Sequence, residues 1–70
     1  MREQLDRLIE EMVQRGIRFS DAQREFERRF IARVLASADG NLSRAADILG
    51  IHRNTLSRKI AELRLKRRVG

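Results

Sequence analysis

Polar and basic side chains with hydrogen-bonding groups are concentrated between residues 41 and 59 of this 70-residue chain. Arginine, lysine, asparagine, serine and threonine recur there, and these side chains donate hydrogen bonds to phosphate oxygens and to the edges of bases. The chain has one histidine, His52, and no cysteine. These supply neither an activated nucleophile nor the usual ligands of a zinc site, so we expect no enzyme, no metal, no cofactor and no small-molecule substrate.

The charge of the chain is distributed unevenly. Residues 1–40 contain eight arginines and eight acidic residues, whereas residues 41–70 contain six arginines and two lysines against Asp47 and Glu62. The formal net charge of +6 therefore lies in the last thirty residues. This asymmetry predicts a nucleic-acid partner bound by one end of a neutral scaffold. The alternative is that the basic surface only keeps a small protein in solution.

The pattern of apolar residues predicts an all-α fold with four helices. Proline is absent, and Gly16, Gly40 and Gly50 separate four segments of helical periodicity. We expect one domain, residues 1–70, in which an antiparallel helical hairpin for dimerisation (1–38) precedes a second helical pair (41–66). No apolar run is long enough to span a membrane, and we expect the chain to be cytoplasmic.

Segments one and two predict a dimer interface. The first has one apolar stripe; the second opens with Ser20 and Gln23, which predict a capping box, and has an apolar face too wide for one neighbour. A chain this short without disulfides needs further stabilisation, and we expect two hairpins to form a four-helix bundle in a homodimer. The predicted interface consists of Leu5, Leu8, Ile9, Met12, Phe26, Phe30 and Val34.

Segments three and four predict a helix-turn-helix. Asn41 is a strong N-cap residue, and only Gly50, Ile51 and His52 connect the two segments. Two helices joined by a short turn containing glycine are typical of this motif. The small Ala45 and Ala46 allow the helices to approach, and Ile51 and Leu56 are expected to fill the space between them.

The stretch GNLSRAADILGIHRNTLSRKI, residues 40–60, resembles the Fis-type helix-turn-helix. That family includes the nucleoid-associated protein Fis and the C-terminal domains of nitrogen-regulation-type bacterial enhancer-binding activators. The resemblance implies binding of double-stranded DNA as a homodimer with some sequence preference. It implies a transcriptional regulator or a DNA-bending, nucleoid-type protein.

The recognition helix of such a motif places its first residues at base edges in the major groove. Arg53 is predicted to read guanine or to bind a phosphate, and Asn54 to read adenine or to cap the helix. His52 is predicted either to contact a base or the groove edge, or to be a cap or a solvated side chain. The resemblance adds phosphate contacts near the start of the third helix, where Arg44 either joins them or is solvated. The resemblance also implies DNA contacts by Thr55, Arg58 and Lys59. The full set of predicted DNA-binding residues is Asn41, Ser43, Arg44, His52, Arg53, Asn54, Thr55, Ser57, Arg58 and Lys59.

The C-terminus departs from the family pattern. Arg64 stands where the family has the glycine that ends its last helix, so we expect this helix to continue through Leu65, Lys66 and Arg67. The basic cluster from Arg64 to Arg68 would then contact phosphates or form a solvated tail. Glu62 replaces a family lysine and removes one expected phosphate contact.

Two alternatives stay open. The chain could be a free-standing Fis-like protein or the C-terminal DNA-binding and dimerisation part of a larger activator. It could also be a dimerisation or protein-interaction module that does not bind DNA.

Overall fold

The computed structural model describes residues 2–65, which form four α-helices and no strand. The helices are α1 (Arg2–Gln14), α2 (Phe19–Ser37), α3 (Leu42–Leu49) and α4 (Arg53–Leu63). Residues 15–18 join α1 and α2 into a helical hairpin, and α3 and α4 form the helix-turn-helix, as the sequence predicts. Among residues 2–65, no helix has the length and hydropathy needed to cross a membrane.

The core lies between the second half of α2 and the helix-turn-helix. Its buried side chains are Ile31, Leu35 and Ala38 of α2, Ala45 and Ala46 of α3, and Leu56, Ile60 and Leu63 of α4. The alanine pair lets α3 approach both neighbours, because small side chains shorten the distance between packed helices. Leu56 is fully buried and Ile51 packs against the core, which confirms their predicted positions.

Helix α1 contributes nothing to this core. None of its residues is buried, and only Met12 is half-buried. Leu5, Leu8 and Ile9 remain 43%, 54% and 47% exposed. An amphipathic helix gains most of its stability from covering its apolar face, so this stripe is a surface that lacks a neighbour in the monomer.

Helix α3 ends at Leu49 and is capped by Gly50, which has a φ of 72°. Its N–H donates to the Asp47 carbonyl, and the Ile51 N–H donates to the Ala46 carbonyl at 3.1 Å. This pair of bonds is the Schellman arrangement, in which a left-handed residue turns the chain out of the helix. No atom lies within 4 Å of where a Cβ on Gly50 would stand, so the positive φ alone favours glycine here.

The start of α2 differs from the sequence prediction. The helix begins at Phe19 with Arg18 as its N-cap, and no side chain bonds to the cap position. The predicted capping box of Ser20 and Gln23 is therefore wrong. The turn after α1 uses Gly16 and Ile17, which leaves Arg18 as the extended residue whose carbonyl accepts the first helical bond.

The end of α4 also differs. The prediction that this helix continues through Arg67 is wrong, because α4 ends at Leu63 and Arg64 adopts the left-handed conformation with a φ of 56°. The Leu65 N–H donates to the Ile60 carbonyl at 3.0 Å, and Leu65 packs against the core. Such packing and bonding offset a conformational cost of about 1–2 kcal/mol for a residue with a Cβ. Lys66, Arg67 and Arg68 of the predicted basic cluster lie outside the described residues.

Candidate nucleic-acid interface

A side-chain contact on the surface connects the first turns of α3 and α4. Arg53 Nη1 is 3.4 Å from Ser43 Oγ, although the two residues are ten positions apart in sequence. Both side chains are exposed. The Schellman turn at Gly50 places the start of α4 close to the end of α3, and the Arg53 side chain reaches back from there to Ser43 in the first turn of α3.

Asn41 is the N-cap of α3, as predicted. Its Oδ1 accepts a hydrogen bond from the Arg44 N–H at 3.1 Å. Capping occupies the oxygen only, and the NH₂ of the same side chain can still donate to an anion. The residue therefore combines a structural role with an exposed donor at the positive end of α3.

His52 caps α4. Its Nδ1 accepts from the Asn54 N–H at 3.0 Å, which is the capping role among those predicted for His52. An accepting Nδ1 puts the ring proton on Nε2, which is then a donor. The Asn54 side chain is exposed and is not the cap of this helix.

The outward side of α4 carries the exposed residues Asn54, Ser57 and Arg58. The buried side carries Leu56, Ile60 and Leu63, which hold α4 to the core. Thr55 is half-buried on the flank between these two sides. The predicted recognition helix thus presents amide, hydroxyl and guanidinium groups, the donors that contact phosphates and base edges.

Lys59 is placed differently from the other predicted contacts. Its Nζ is 2.6 Å from Oε1 of Glu27 on α2, and both side chains are partly buried. Lys59 also lines a shallow apolar groove with Phe26 and Leu49. Sequence reasoning missed Glu27, because the two residues are 32 positions apart and no local spacing relates them.

The electrostatics of the helix starts differ between the two halves of the chain. Glu3 and Asp21 stand in the first turns of α1 and α2, where an acid complements the positive end of a helix. The first turns of α3 and α4 have no acid and carry Arg44 and Arg53 instead. A cation at this end costs about 0.3–1 kcal/mol, and a bound anion would remove that cost.

The predicted dimer residues separate into two groups. Phe26 and Phe30 are 59% and 50% exposed, with their ring centroids 5.2 Å apart, and the α1 residues are mostly exposed as well. Val34 is half-buried and packs against the core.

Three further exposed apolar residues were missing from the predicted interface: Val13, Ile17 and Phe19. Phe19 lies seven residues before Phe26 and so shares its face, a signal that was present in the spacing.

Within residues 2–65, no cluster of histidine and acidic side chains has the geometry to hold a metal ion.

Comparisons with known proteins agree with the helix-turn-helix described above. The family described as "Bacterial regulatory protein, Fis family" matches residues 22–63, more than half of the chain. A "Putative Fis-like DNA-binding protein" of Xylella fastidiosa (strain Temecula1 / ATCC 700964) is 51% identical over 39 residues. That alignment covers 56% of this chain and 43% of the relative's length. No solved structure matches the chain significantly.

Proposed function

Because this chain belongs to the Fis family of bacterial regulatory proteins, we propose that it binds double-stranded DNA, as a homodimer and with a modest sequence preference. A regulatory or nucleoid-type role follows from such binding, and the place of action is the bacterial chromosome in the cytoplasm. The relative whose name describes a Fis-like DNA-binding protein supports the same assignment.

The observation that carries the proposal is the paired start of α3 and α4. Two helix N-termini without acids, with Arg53 within 3.4 Å of Ser43, make one exposed, electropositive surface. Helix N-termini bind phosphate groups through their free N–H groups and their dipole. An α-helix held by one side and polar on the other fits the major groove.

Roles can be assigned within this surface. Asn41, Ser43 and Arg44 at the start of α3 are proposed to contact phosphates and set the register on the duplex. Arg53, with Asn54 and Ser57, is proposed to reach base edges from the start of α4, and Arg58 is proposed to bind phosphate. His52 is proposed to donate from Nε2 while its Nδ1 caps the helix.

The homodimer is proposed from the uncovered apolar residues of α1 and α2. Leu5, Leu8 and Ile9 on α1 and Phe26 and Phe30 on α2 are all at least 43% exposed. Large exposed apolar patches mark interaction sites, and a second copy offers the same patches for a four-helix bundle. Two recognition helices related by a two-fold axis would enter two half-sites of a roughly palindromic sequence.

The test of DNA binding is a fluorescence-anisotropy titration of a labelled duplex at several salt concentrations. We expect tight binding that weakens steeply with salt, with a slope equivalent to roughly six to ten phosphates per dimer. Half that slope would indicate one bound helix-turn-helix. No binding at low salt would refute the proposal and favour a protein-interaction module instead.

The dimer is tested separately by analytical ultracentrifugation. We expect the wild-type chain to sediment at twice its 8.2 kDa mass and Leu8→Glu to sediment as a monomer, because a carboxylate cannot be buried unpaired in the bundle. Gln14→Glu adds the same charge at an exposed position away from the apolar stripe and should leave the dimer intact. A Leu8→Glu dimer would contradict the proposed interface.

A further inference from the structure

The ion pair between Glu27 and Lys59 joins the recognition helix to the helix that carries the exposed phenylalanines. Their side chains are 24% and 35% exposed, whereas those of the i,i+4 pairs Glu11–Arg15 and Glu25–Arg29 are more than half exposed. Water and salt therefore screen the Glu27–Lys59 pair less than the surface pairs. It is the one ion pair between different helices within residues 2–65.

The methylene stem of Lys59 adds an apolar contact to this pair. Lys59 lines a groove with Phe26, Phe30, Leu49 and Ile51, and its ammonium contacts the Glu27 carboxylate. Long basic side chains commonly bury their stems in this way while the charge finds a partner. The Lys59 side chain is thus held by packing and by charge together.

Lys59 also points away from the proposed DNA surface. Successive residues of an α-helix are rotated by about 100°, so Lys59 lies on the flank facing α2 while Arg58 faces outward with Asn54. Arg58 is exposed and Lys59 is half-buried. A phosphate would have to displace Glu27 to reach the Lys59 ammonium, and a lysine already neutralised by a carboxylate adds little to counterion release.

Two arginines of α2 hold the end of the same helix. Arg28 Nη1 donates to the Leu63 carbonyl, and Arg24 Nη2 lies 3.5 Å from the Glu62 carbonyl. Cations at a helix C-terminus complement its negative end and satisfy carbonyls that have no partner in the helix. Together with Glu27, these side chains come from one face of α2 and hold α4 at its middle and at its end.

We propose that Lys59 is a positioning residue and not a DNA contact: its bond to Glu27 sets the orientation of α4 relative to α2, and with it the fit of the recognition helix to its site. The inference rests on the proposed DNA binding. Glu27 is adjacent in sequence to Phe26 of the proposed dimer interface.

The decisive variant is the charge swap Glu27→Lys with Lys59→Glu, which keeps the pair and the net charge. Binding is measured on a duplex that the wild-type protein selects from a random pool and on a scrambled duplex of equal composition. We expect affinities within about threefold of wild type on both duplexes and an unchanged salt slope, since the exposed contacts are intact. Arg58→Glu is the control and should weaken binding about tenfold or more on both duplexes.

The single substitutions provide a readout specific to positioning. Lys59→Glu alone places two carboxylates next to each other, and their repulsion should change the orientation of α4. We therefore expect this variant to lower the ratio of affinities for the selected and scrambled duplexes. Adding Glu27→Lys should restore that ratio. Lys59→Met, which keeps an apolar stem, should lower the ratio at an unchanged salt slope, whereas Arg58→Met should reduce the slope by about one per bound helix-turn-helix.

A charge-swapped protein with wild-type circular dichroism that binds both duplexes tenfold or more weakly would overturn the inference, because an acid at position 59 would then meet phosphate. A salt slope reduced equally by Lys59→Met and Arg58→Met would also overturn it. Wild-type protein that binds neither duplex at low salt would instead refute the proposed function, and the inference with it.

Discussion

Helices α1 and α4 have the same kind of sequence and different surroundings. Each has about three turns, with one apolar stripe and a polar side opposite that stripe, called here the polar back. The stripe of α4 is covered by its own chain, with Leu56 fully buried, while the equivalent Leu8 of α1 remains 54% exposed. An amphipathic pattern therefore indicates that a helix needs a neighbour, but it does not identify that neighbour.

The polar backs of the two helices also differ. Helix α1 alternates acidic and basic residues such as Asp6 and Arg7, and α4 presents Arg53 and Arg58 with only Glu62 as an acid. The first pattern neutralises itself along the helix, and the second leaves positive charge for an external anion. The uncovered stripe of α1 and the unneutralised face of α4 are the two observations behind the proposed association and the proposed DNA recognition.

The largest expected effect is on the free energy of unfolding, and it distinguishes the apolar stripe of α4 from that of α1. Leu56→Ala should lower the free energy of unfolding by about 2–5 kcal/mol, because it removes a fully buried side chain and leaves a cavity. Urea denaturation followed by circular dichroism measures this loss. Leu8→Ala is the matched change on α1, and its cost should fall as the protein is diluted, since a dimer interface stabilises only the associated chain.

Equal costs of Leu8→Ala and Leu56→Ala at every protein concentration would contradict the comparison. They would mean that α1 is packed within its own chain.

The next largest effect is on DNA affinity, after substitution of arginines on the polar backs of α4 and α1. Arg53→Ala should weaken binding to a selected duplex by about 1–3 kcal/mol and relax its sequence preference. Arg7→Ala removes the same charge from α1 and should change affinity far less. Anisotropy titrations on selected and scrambled duplexes measure both variants. A loss from Arg53→Ala that is equal on all sequences would make Arg53 a phosphate contact.

A smaller effect is expected at the start of α4. His52→Ala removes the acceptor for the Asn54 N–H and should lower the free energy of unfolding by about 0.5–2 kcal/mol, the usual range for loss of an N-cap. His52→Asn retains a capping oxygen and should lose much less. Thermal and urea denaturation compare the three proteins. Equal stability of His52→Ala and the wild type would show that this cap contributes nothing measurable.

The smallest effect is expected at the end of α4. Gly16 lies two residues after the end of α1 and Arg64 directly after the end of α4, and both have positive φ. Arg64→Gly should raise the free energy of unfolding by up to about 1 kcal/mol, because glycine adopts this conformation without strain but loses more chain entropy on folding. Gly50→Ala is the reverse change at an equivalent position and should destabilise the protein. A destabilised Arg64→Gly variant would show that contacts of the Arg64 side chain outweigh its backbone strain.

Local chemistry predicted some helix ends and not others. Asn41, Gly16 and Gly50 act as their residue types suggest, because a side-chain acceptor or a missing Cβ is enough to end or start a helix. The predictions from Ser20 and Arg64 are wrong. Helix α2 begins at Phe19, before Ser20, because of the turn that contains Gly16, and α4 ends without a glycine because Leu65 packs against the core. These two ends depend on neighbours outside the helix itself.

The sequence by itself determined the four-helix class, the helix-turn-helix, the segregation of charge and the exposed donors at the start of α4. These follow from the order of apolar, small and charged residues along a single helix or turn, and such order is readable without knowledge of distant contacts. Tertiary structure alone decided that Lys59 faces Glu27, that Arg53 meets Ser43, and that α1 is left without a cover. Each of these relations depends on how separate helices pack, and packing is decided by three-dimensional fit among residues far apart in the chain.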